Sequence, residues 1–282
     1  IEENNLSEEK IKENEYVELR IIGFGSSFIC SLIYHIKQGQ LYAIKKPYKQ
    51  DEAPKLIERE KNNYCNISHP FLCKFYGVTE NENFIVIEFI KGETLNNIKK
   101  MKLEFKDILN IIFELMLIFQ YFYDNQMIYR DLKPNNIMIN ENKEVVLIDF
   151  DRLIKYDGNE TVDHSINVGT EFNAPEAKTN NEFTHASDIY SLGKIIEYIL
   201  QINSLQSNEY SAINKIISKC INDNAKNRSF ISDIIDYFIL IFNEEYEFEG
   251  SFSNYDDHFT HCYLIINVIN EYKKIKMNQL FK

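Results

Sequence analysis

The sequence predicts an α+β protein with two lobes, a smaller one rich in strands and a larger one that is mainly helical. Residues 15–88 contain short β-branched and aromatic runs separated by turn residues, with a single helical segment among them. Long apolar segments with helical spacing follow Lys91-Gly92. We therefore place the boundary near Glu88–Glu93 and assign residues 89–243 to the second lobe.

Two charged segments flank these lobes. Residues 1–14 are acidic and polar, and we expect a disordered leader. Residues 244–282 begin as an acidic linker and end in an amphipathic helix, which we expect to dock on the second lobe or to begin a neighbouring domain. The nearby His258, His261 and Cys262 match no common zinc spacing, so we expect no metal there.

The composition excludes several classes of partner. The net charge of −12 argues against a nucleic-acid backbone or an anionic membrane surface. The apolar segment 107–123 is interrupted by polar residues and 234–242 is too short to span a bilayer, so both predict buried helices and no membrane span. Five cysteines without a CxxC pair, together with no visible signal peptide, predict a reducing, cytoplasmic location. The first residue is not Met, so the chain could be a fragment.

A predicted hairpin brings two oxygen ligands together. The runs IMI and VVLI, within residues 137–148, flank the turn-rich NENKE. The residues just outside such paired strands, Asn136 and Asp149, become neighbours. Their amide and carboxylate oxygens suit Mg²⁺ or Mn²⁺. Asp131 and Lys133 precede the same edge in YRDLKPNN. A hairpin with polar ends and nothing bound remains open at this point.

The first lobe contains a glycine-rich turn and a lysine in a strand that is predicted to be buried. IIGFGSSF at residues 21–28 places Gly23 and Gly25 where backbone N–H groups can approach phosphates. Lys45 lies in the apolar strand LYAIKK, and Glu60 lies on the only predicted helix of this lobe. A lysine in a buried strand needs a counter-ion, which a helix glutamate can supply.

These motifs occur in a specific order: GFGSSF, AIK, the helix glutamate, YRDLKPNN, DFD, GTEFNAPE and SDIYSLG. In that order the sequence resembles eukaryotic-type protein kinases over residues 16–242. The resemblance implies the bilobal protein-kinase fold and ATP- and Mg²⁺-dependent transfer of the γ-phosphoryl group to protein substrates. Lys133 and GTEFNAPE are similar to the serine/threonine-specific members, so a protein bearing Ser or Thr is the implied substrate.

The resemblance also implies roles for individual residues. Lys45 would hold the α- and β-phosphates and pair with Glu60. Asp131 would orient the proton of the acceptor hydroxyl, and Lys133 would neutralise charge on the transferring phosphoryl group.

The same resemblance implies the metal ligands and the nucleotide pocket. Asn136 and Asp149 would hold the ions that bridge the phosphates. Ala43 and Met138 would sandwich the adenine, with plain core packing as the alternative reading. The ATP-binding positions, besides Lys45 and Glu60, are Ile22, Gly23, Gly25, Cys30, Ala43, Ile87, Glu88, Ile90 and Met138.

Some implied roles are structural. Glu176 is expected to form a buried ion pair with Arg228, and Asp188 to cap the backbone of the catalytic loop. Tyr129 replaces the usual histidine before Arg-Asp. We expect it to stack in a column of aromatic rings with Tyr64, Phe75 and Phe150.

Arg130 could receive a phosphate from the activation segment, residues 149–176. Thr161 and Ser165 are the plausible acceptors. Thr170 is expected to contact the catalytic loop instead.

Two departures keep alternatives open. Phe28 replaces a third glycine and could fold over the phosphates or obstruct them. Asp151 replaces the glycine that usually follows Asp-Phe, and we expect it to bias the loop and the surface charge rather than to bind metal. These two departures keep open a pseudokinase scaffold that binds nucleotide with little turnover. A small-molecule phosphotransferase with a kinase-like fold is a second alternative, which GTEFNAPE and Arg228 disfavour. The sequence leaves the substrate protein, the activator and the oligomeric state open.

Overall fold

The computed structural model describes residues 11–246, apart from residues 26, 50, 159–160, 164–168 and 204–206. Residues up to Phe238 belong to one compact unit, and a second unit begins at Ile239. Ser165, the three candidate ligands after residue 257 and the expected C-terminal helix lie outside the described residues.

The first lobe is a five-stranded antiparallel sheet in the order β1-β2-β3-β5-β4. Its strands are β1 (Tyr16–Phe24), β2 (Phe28–His35), β3 (Gln40–Pro47), β4 (Phe75–Val78) and β5 (Ile85–Glu88). β-branched and aromatic side chains suit such half-buried surfaces. One group of them, centred on Ile33, Ile44 and Val86, forms a core cluster on this sheet.

The chain enters this lobe earlier than residue 15. Ile11 is buried, forms a parallel bridge with Thr79 and belongs to the same core cluster. A short 3-10 helix, Glu13–Glu15, then leads into β1. Residues 11–14, which we expected in a disordered leader, are therefore part of the sheet lobe. The burial of the apolar Ile11 side chain is favourable and explains this difference.

Helix α1 (Ala53–Cys65) connects β3 to β4 and is the predicted single helix of the lobe. Pro54 suits its first turn, where the missing N–H is no loss. Ala53, Ile57, Glu60 and Tyr64 are its buried residues, at the spacing of one helical face. A glutamate on this buried face indicates a specific partner.

The second lobe contains the long helices and several short strands. The helices are α2 (Phe105–Asp124), α3 (Pro175–Asn180), α4 (His185–Asn203), α5 (Ser207–Cys220) and α6 (Ile231–Tyr246). The strands are β6 (Gly92–Thr94), β7 (Met127–Ile128), β8 (Ile137–Asn140), β9 (Val145–Leu147), β10 (Ile154–Lys155), β11 (Thr161–Val162) and β12 (Glu182–Phe183). They pair as β6-β8-β9, β7-β10 and β11-β12.

Both apolar segments of this lobe are helices, as predicted. Helix α2 starts where the backbone N–H of Glu104 donates to the Asp107 carboxylate at 2.7 Å, and most of its residues are buried. Helix α6 runs on to Tyr246, past the expected start of the linker at residue 244. None of the helices within the described part of the chain is long and apolar enough to cross a membrane.

The predicted hairpin is β8 and β9, paired antiparallel. The N–H of Ile148 donates to the carbonyl of Asn136 at 2.9 Å, so Asn136 lies next to the residue that precedes Asp149. Strand β6 completes this sheet. A Cβ atom on Gly92 would lie 2.0 Å from the carbonyl oxygen of Ile139, so only glycine permits this approach of the inter-lobe connection to the hairpin.

Candidate active site

A cleft of about 690 Å³ lies between the lobes. Its lining includes the predicted residues Ile22, Gly23, Gly25, Cys30, Ala43, Lys45, Ile87, Glu88, Ile90, Lys133, Asn136, Met138 and Asp149. Two predicted residues, Glu60 and Asp131, do not line it directly. A cavity of about 790 Å³ beside α2 and α4 is larger, but Lys45, Asn136 and Asp149 all lie in the inter-lobe cleft. We therefore choose the inter-lobe cleft as the candidate site because of the residues that line it, although the other cavity is larger.

Lys45 joins the two lobes at this cleft. Its amine on β3 hydrogen-bonds the Glu60 carboxylate of α1 and lies 3.0 Å from Oδ1 of Asp149, which follows the hairpin. Burial alone would lower the pKa of Lys45, but the charges of Asp149 and Glu60 outweigh it and raise that pKa. For Asp149, burial alone would raise the pKa. The positive charge of Lys45 has the larger effect, so the pKa of Asp149 lies below its usual value. Both groups are therefore charged at neutral pH.

Phe28 lines the cleft and packs beside Lys45. It is 3% exposed, at the start of β2, and the Lys45 amine lies 4.9 Å from the centre of its ring. Its carbonyl accepts the N–H of Gly25 at 2.8 Å, which closes the glycine-rich turn. Phe28 therefore packs against the lysine and anchors the turn, because a large ring gains free energy by burial.

Asp131 is held on both carboxylate oxygens. Oδ2 accepts from Lys133 Nζ at 2.7 Å and from Asn136 Nδ2 at 3.0 Å. Oδ1 accepts from Arg152 Nη1 at 3.2 Å. The carboxylate is thus oriented by two cations and an amide, which is the kind of support a proton acceptor requires. An acceptor hydroxyl would have to share or displace one of these contacts.

The backbone around Asp131 is unusual and well supported. Arg130 and Asp149 have φ of 69° and 65°, in the left-handed region that residues other than glycine rarely adopt. The Asp188 carboxylate accepts the N–H groups of Tyr129 at 2.6 Å and Arg130 at 2.9 Å. The predicted cap by Asp188 is confirmed, and it stabilises this conformation directly before Asp131.

The predicted metal ligands fit a hard cation. The amide nitrogen of Asn136 donates to the carbonyl and carboxylate of Asp131, so its amide oxygen is the atom that can serve as a ligand. Ligand oxygens of Asp131, Asp149 and Asp151 all lie within 4.8 Å of one another. An oxygen-only donor set of this kind suits Mg²⁺ or Mn²⁺.

Asp151 differs from our expectation of a surface role. It is 8% exposed, its carboxylate belongs to the cluster with Asp131 and Asp149, and it lies 3.6 Å from the guanidinium of Arg59 on α1. Burial and the Asp149 charge raise the pKa of Asp151. A buried carboxylate needs a nearby cation, and Arg59 supplies one here.

The predicted aromatic column crosses between the lobes. Ring centres are 5.3 Å apart for Phe75 and Tyr64, 5.1 Å for Tyr64 and Phe150, and 6.1 Å for Phe150 and Tyr129. The Tyr129 hydroxyl also donates to the carbonyl of Ile148 at 2.6 Å, a bond that a phenylalanine could not make. The column therefore connects the segment after Asp149 to α1 and to Tyr129, two residues before Asp131.

The ion pair predicted below the activation segment is present. Arg228 donates to both oxygens of Glu176, at 2.6 and 2.8 Å, and its guanidinium stacks 4.9 Å from the ring of Tyr190. The described side-chain hydrogen bonds at Thr170 go to Asn173 in its own segment, and its expected contact with the loop around Asp131 stays a prediction.

Arg130, which we expected to bind a phosphate, forms an ion pair with a carboxylate of the chain itself. Its Nη1 donates to Asp163 Oδ2 at 2.8 Å and its Nε donates to the carbonyl of Arg152 at 2.7 Å. Ser165 lies outside the described residues, and only the backbone of Thr161 is described. Arg152 and Asp163 are the two charged residues that the sequence interpretation missed. The only local signal was that Arg152 directly follows DFD.

The site between the lobes combines a lysine, three carboxylates and an amide that can bind a metal ion. Between a β-rich lobe and a helical lobe, this combination defines a phosphotransferase-type site. The chain belongs to the protein kinase family, since the family's protein kinase domain matches residues 16–241.

Its relatives include ribosomal protein S6 kinase alpha-1 of Mus musculus, which is 27% identical over 200 residues, 67% of this chain and 27% of that protein. A Dictyostelium discoideum protein named as a probable serine/threonine-protein kinase is 27% identical over 271 residues, 90% of this chain and 18% of that protein. A second Dictyostelium discoideum protein of that description is 29% identical over 203 residues, 68% of this chain and 22% of that protein. The chain thus spans about a quarter or less of the length of these relatives.

Proposed function

We propose that this chain transfers the γ-phosphoryl group of ATP, with Mg²⁺ or Mn²⁺, to serine or threonine residues of a protein substrate. The observation that carries the proposal is the contact of Lys45 with both Glu60 and Asp149 in one cleft. A buried lysine shared by two carboxylates from different lobes is an assembled charge network rather than a packing feature.

Each group has a task in this proposal. Lys45 and the glycine-rich turn bind the phosphates, while Asn136 and Asp149 hold the metal, which neutralises phosphate charge when bound. Asp131 orients the acceptor hydroxyl and takes up its proton. Lys133, at 2.7 Å from Asp131, supplies positive charge next to the reacting oxygen.

Specificity for serine and threonine is supported by the names of the Dictyostelium relatives and by Lys133 in the catalytic loop. The well-formed Glu176–Arg228 pair supports a protein substrate over a small molecule, since it braces the segment that would form a platform for a polypeptide. A cytoplasmic location is also part of the proposal, supported by the free thiols of the four described cysteines.

A pseudokinase remains the second candidate because of one observation. Each oxygen of Asp131 already accepts a hydrogen bond from a cation, Lys133 or Arg152, so an acceptor hydroxyl would share its oxygen with one of them. A chain that used the cleft only to bind nucleotide would tolerate this arrangement. Turnover, rather than binding, separates the two candidates.

Thermal unfolding with ATP, with and without Mg²⁺, tests the nucleotide site first. Ligand at about 100 times its Kd should add about 2.7 kcal/mol to the free energy of unfolding. We expect a larger rise in Tm with Mg²⁺ than with EDTA, and loss of that Mg²⁺ increment in Asp149→Asn. An increment that survives in Asp149→Asn would remove Asp149 from the metal site. Stabilisation without any turnover would favour the pseudokinase.

A further inference from the structure

The guanidinium of Arg130 is buried and has one directly bonded anion among the described residues. Its side chain is 5% exposed, with Nη1 at 2.8 Å from Asp163 Oδ2 and its centre 5.5 Å from the ring of Phe183. The carboxylate of Asp188 is also near, but it bonds the backbone N–H of Arg130. A buried arginine is strongly destabilising without a partner, so Asp163 is the anion that permits this position.

Regular backbone structure, rather than a chance side-chain position, holds Asp163 there. Strand β11 pairs antiparallel with β12, so that Val162 faces Glu182. The N–H of Asp163 then donates to the carbonyl of Asn181 at 3.1 Å, and Asn181 adopts the left-handed conformation with φ of 55°. Phe183 of β12 is buried in a core cluster with Ile128, which fixes the strand pair to the second lobe.

Two hydrogen bonds through Arg152 connect the Arg130–Asp163 ion pair to Asp131, the candidate catalytic residue. The Nε of Arg130 donates to the carbonyl of Arg152, and the guanidinium of Arg152 donates to Asp131 Oδ1. A change at Asp163 therefore alters the support of both Arg130, which directly precedes Asp131, and Arg152, which bonds it.

In kinases an activation loop can be ordered by a new arginine–phosphate pair. Here a carboxylate of the segment itself fills that position on Arg130. We propose that Asp163 is a positioning residue that replaces a phosphate on Arg130, so that the catalytic loop is ordered without phosphorylation of the activation segment. This inference rests on the proposed kinase activity.

Steady-state kinetics of phosphate-free protein test it. The protein is treated with phosphatase, its lack of phosphate is verified by intact mass, and kcat and KM are measured with Mg-ATP and a generic Ser/Thr protein substrate. We expect the treated protein to keep its activity within about two-fold, and Asp163→Asn to lower kcat by about ten-fold or more with little change in the KM for ATP. Asp163→Glu should restore most of kcat. Asp223→Asn, which removes an exposed aspartate elsewhere, should change nothing.

Three kinetic results would overturn the inference: a phosphate-free protein that gains activity only after phosphorylation, an Asp163→Asn variant as active as the parent, or an Asp163→Glu variant as impaired as Asp163→Asn. Hydrogen exchange gives a readout that does not need turnover. We expect protection of the Asp163 amide in the phosphate-free parent and faster exchange over residues 161–163 and 182–183 in Asp163→Asn. Equal exchange would contradict the inference. Absence of turnover in every form, with the exchange result as expected, would instead refute the proposed activity.

Discussion

Around Asp131, the local balance of charge depends on two adjacent residues. Asp151 adds a carboxylate to the cluster with Asp131 and Asp149, and Arg152 adds a guanidinium bonded to Asp131. Like charges at such distances oppose one another, and a nearby cation relieves this. Arg152, together with Arg59 at 3.6 Å from Asp151, thus offsets the charge that Asp151 introduces. Arg152 also competes with any metal ion for the carboxylates.

Removing the Arg152 charge should therefore strengthen metal binding. We expect Arg152→Gln to bind Mn²⁺ about three- to ten-fold more tightly, since one cation near the carboxylates is lost. Titration calorimetry of the nucleotide-free protein measures this. Lys178→Gln, which removes an exposed lysine on α3, is the matched control and should bind Mn²⁺ as the parent does. Unchanged or weaker binding in Arg152→Gln would show that Arg152 does not act on this cluster.

Between elements, one carboxylate links the central helix to the hairpin. Glu114 of α2 accepts the N–H of Val145 at the start of β9, at 2.7 Å. Burial raises the pKa of Glu114 from 4.5 to about 8, and the hydrogen bond only partly opposes this. The folded protein thus holds a proton on Glu114 at neutral pH that the unfolded chain releases.

This proton makes stability depend on pH. Between pH 4.5 and about 8 the folded state binds one proton more than the unfolded state, so the free energy of unfolding falls as pH rises. Glu114→Gln removes the titration and keeps an acceptor for Val145. We expect the free energy of unfolding of the variant, relative to that of the parent, to rise by roughly 2–4 kcal/mol from pH 5 to pH 8. Urea unfolding curves at each pH measure this difference. A constant difference across that range would show that Glu114 has an ordinary pKa.

The ion pair under α3 is the second link between elements. The side chain of Arg228 is fully buried and bonds both oxygens of Glu176. Arg228→Met leaves the partly buried Glu176 carboxylate unpaired, so we expect a loss of about 3–5 kcal/mol in the free energy of unfolding, measured in urea. Glu176→Gln leaves the fully buried Arg228 charge without its anion, so we expect a loss of similar size. A loss under about 1 kcal/mol for Arg228→Met would mean that packing alone holds this segment.

Across the whole molecule, the site depends on contacts between the lobes. Lys45 and Glu60 belong to the first lobe and Asp149 to the second, so the lysine network forms only when the lobes are placed as they are here. The aromatic column through Tyr64 and Phe150 follows the same route. The Asn63 amide donates to the carbonyl of Phe150 at 2.6 Å and adds a third link.

How far the sequence predicted this arrangement depends on the range of the interactions. The approach of Asn136 to Ile148, the residue before Asp149, followed from the hairpin, whose geometry is local. The contacts of Asp131 with Arg152 and of Arg130 with Asp163 join residues 21 and 33 positions apart, and apart from the place of Arg152 after DFD no sequence pattern indicates them. The burial of Phe28, Asp151 and Ile11 likewise depends on neighbours supplied by tertiary packing, which periodicity does not reveal.

Transfer of labelled phosphate is the most direct test of the central claim that this cleft is a working protein kinase site. The purified chain is incubated with Mg²⁺ and γ-labelled ATP and a generic protein substrate, and the labelled amino acids are identified after hydrolysis. We expect phosphoserine or phosphothreonine from the parent and none from Asp131→Asn, whose fold is verified by its Tm. Label that persists unchanged in Asp131→Asn, or no label despite ATP binding by the parent, would contradict the account.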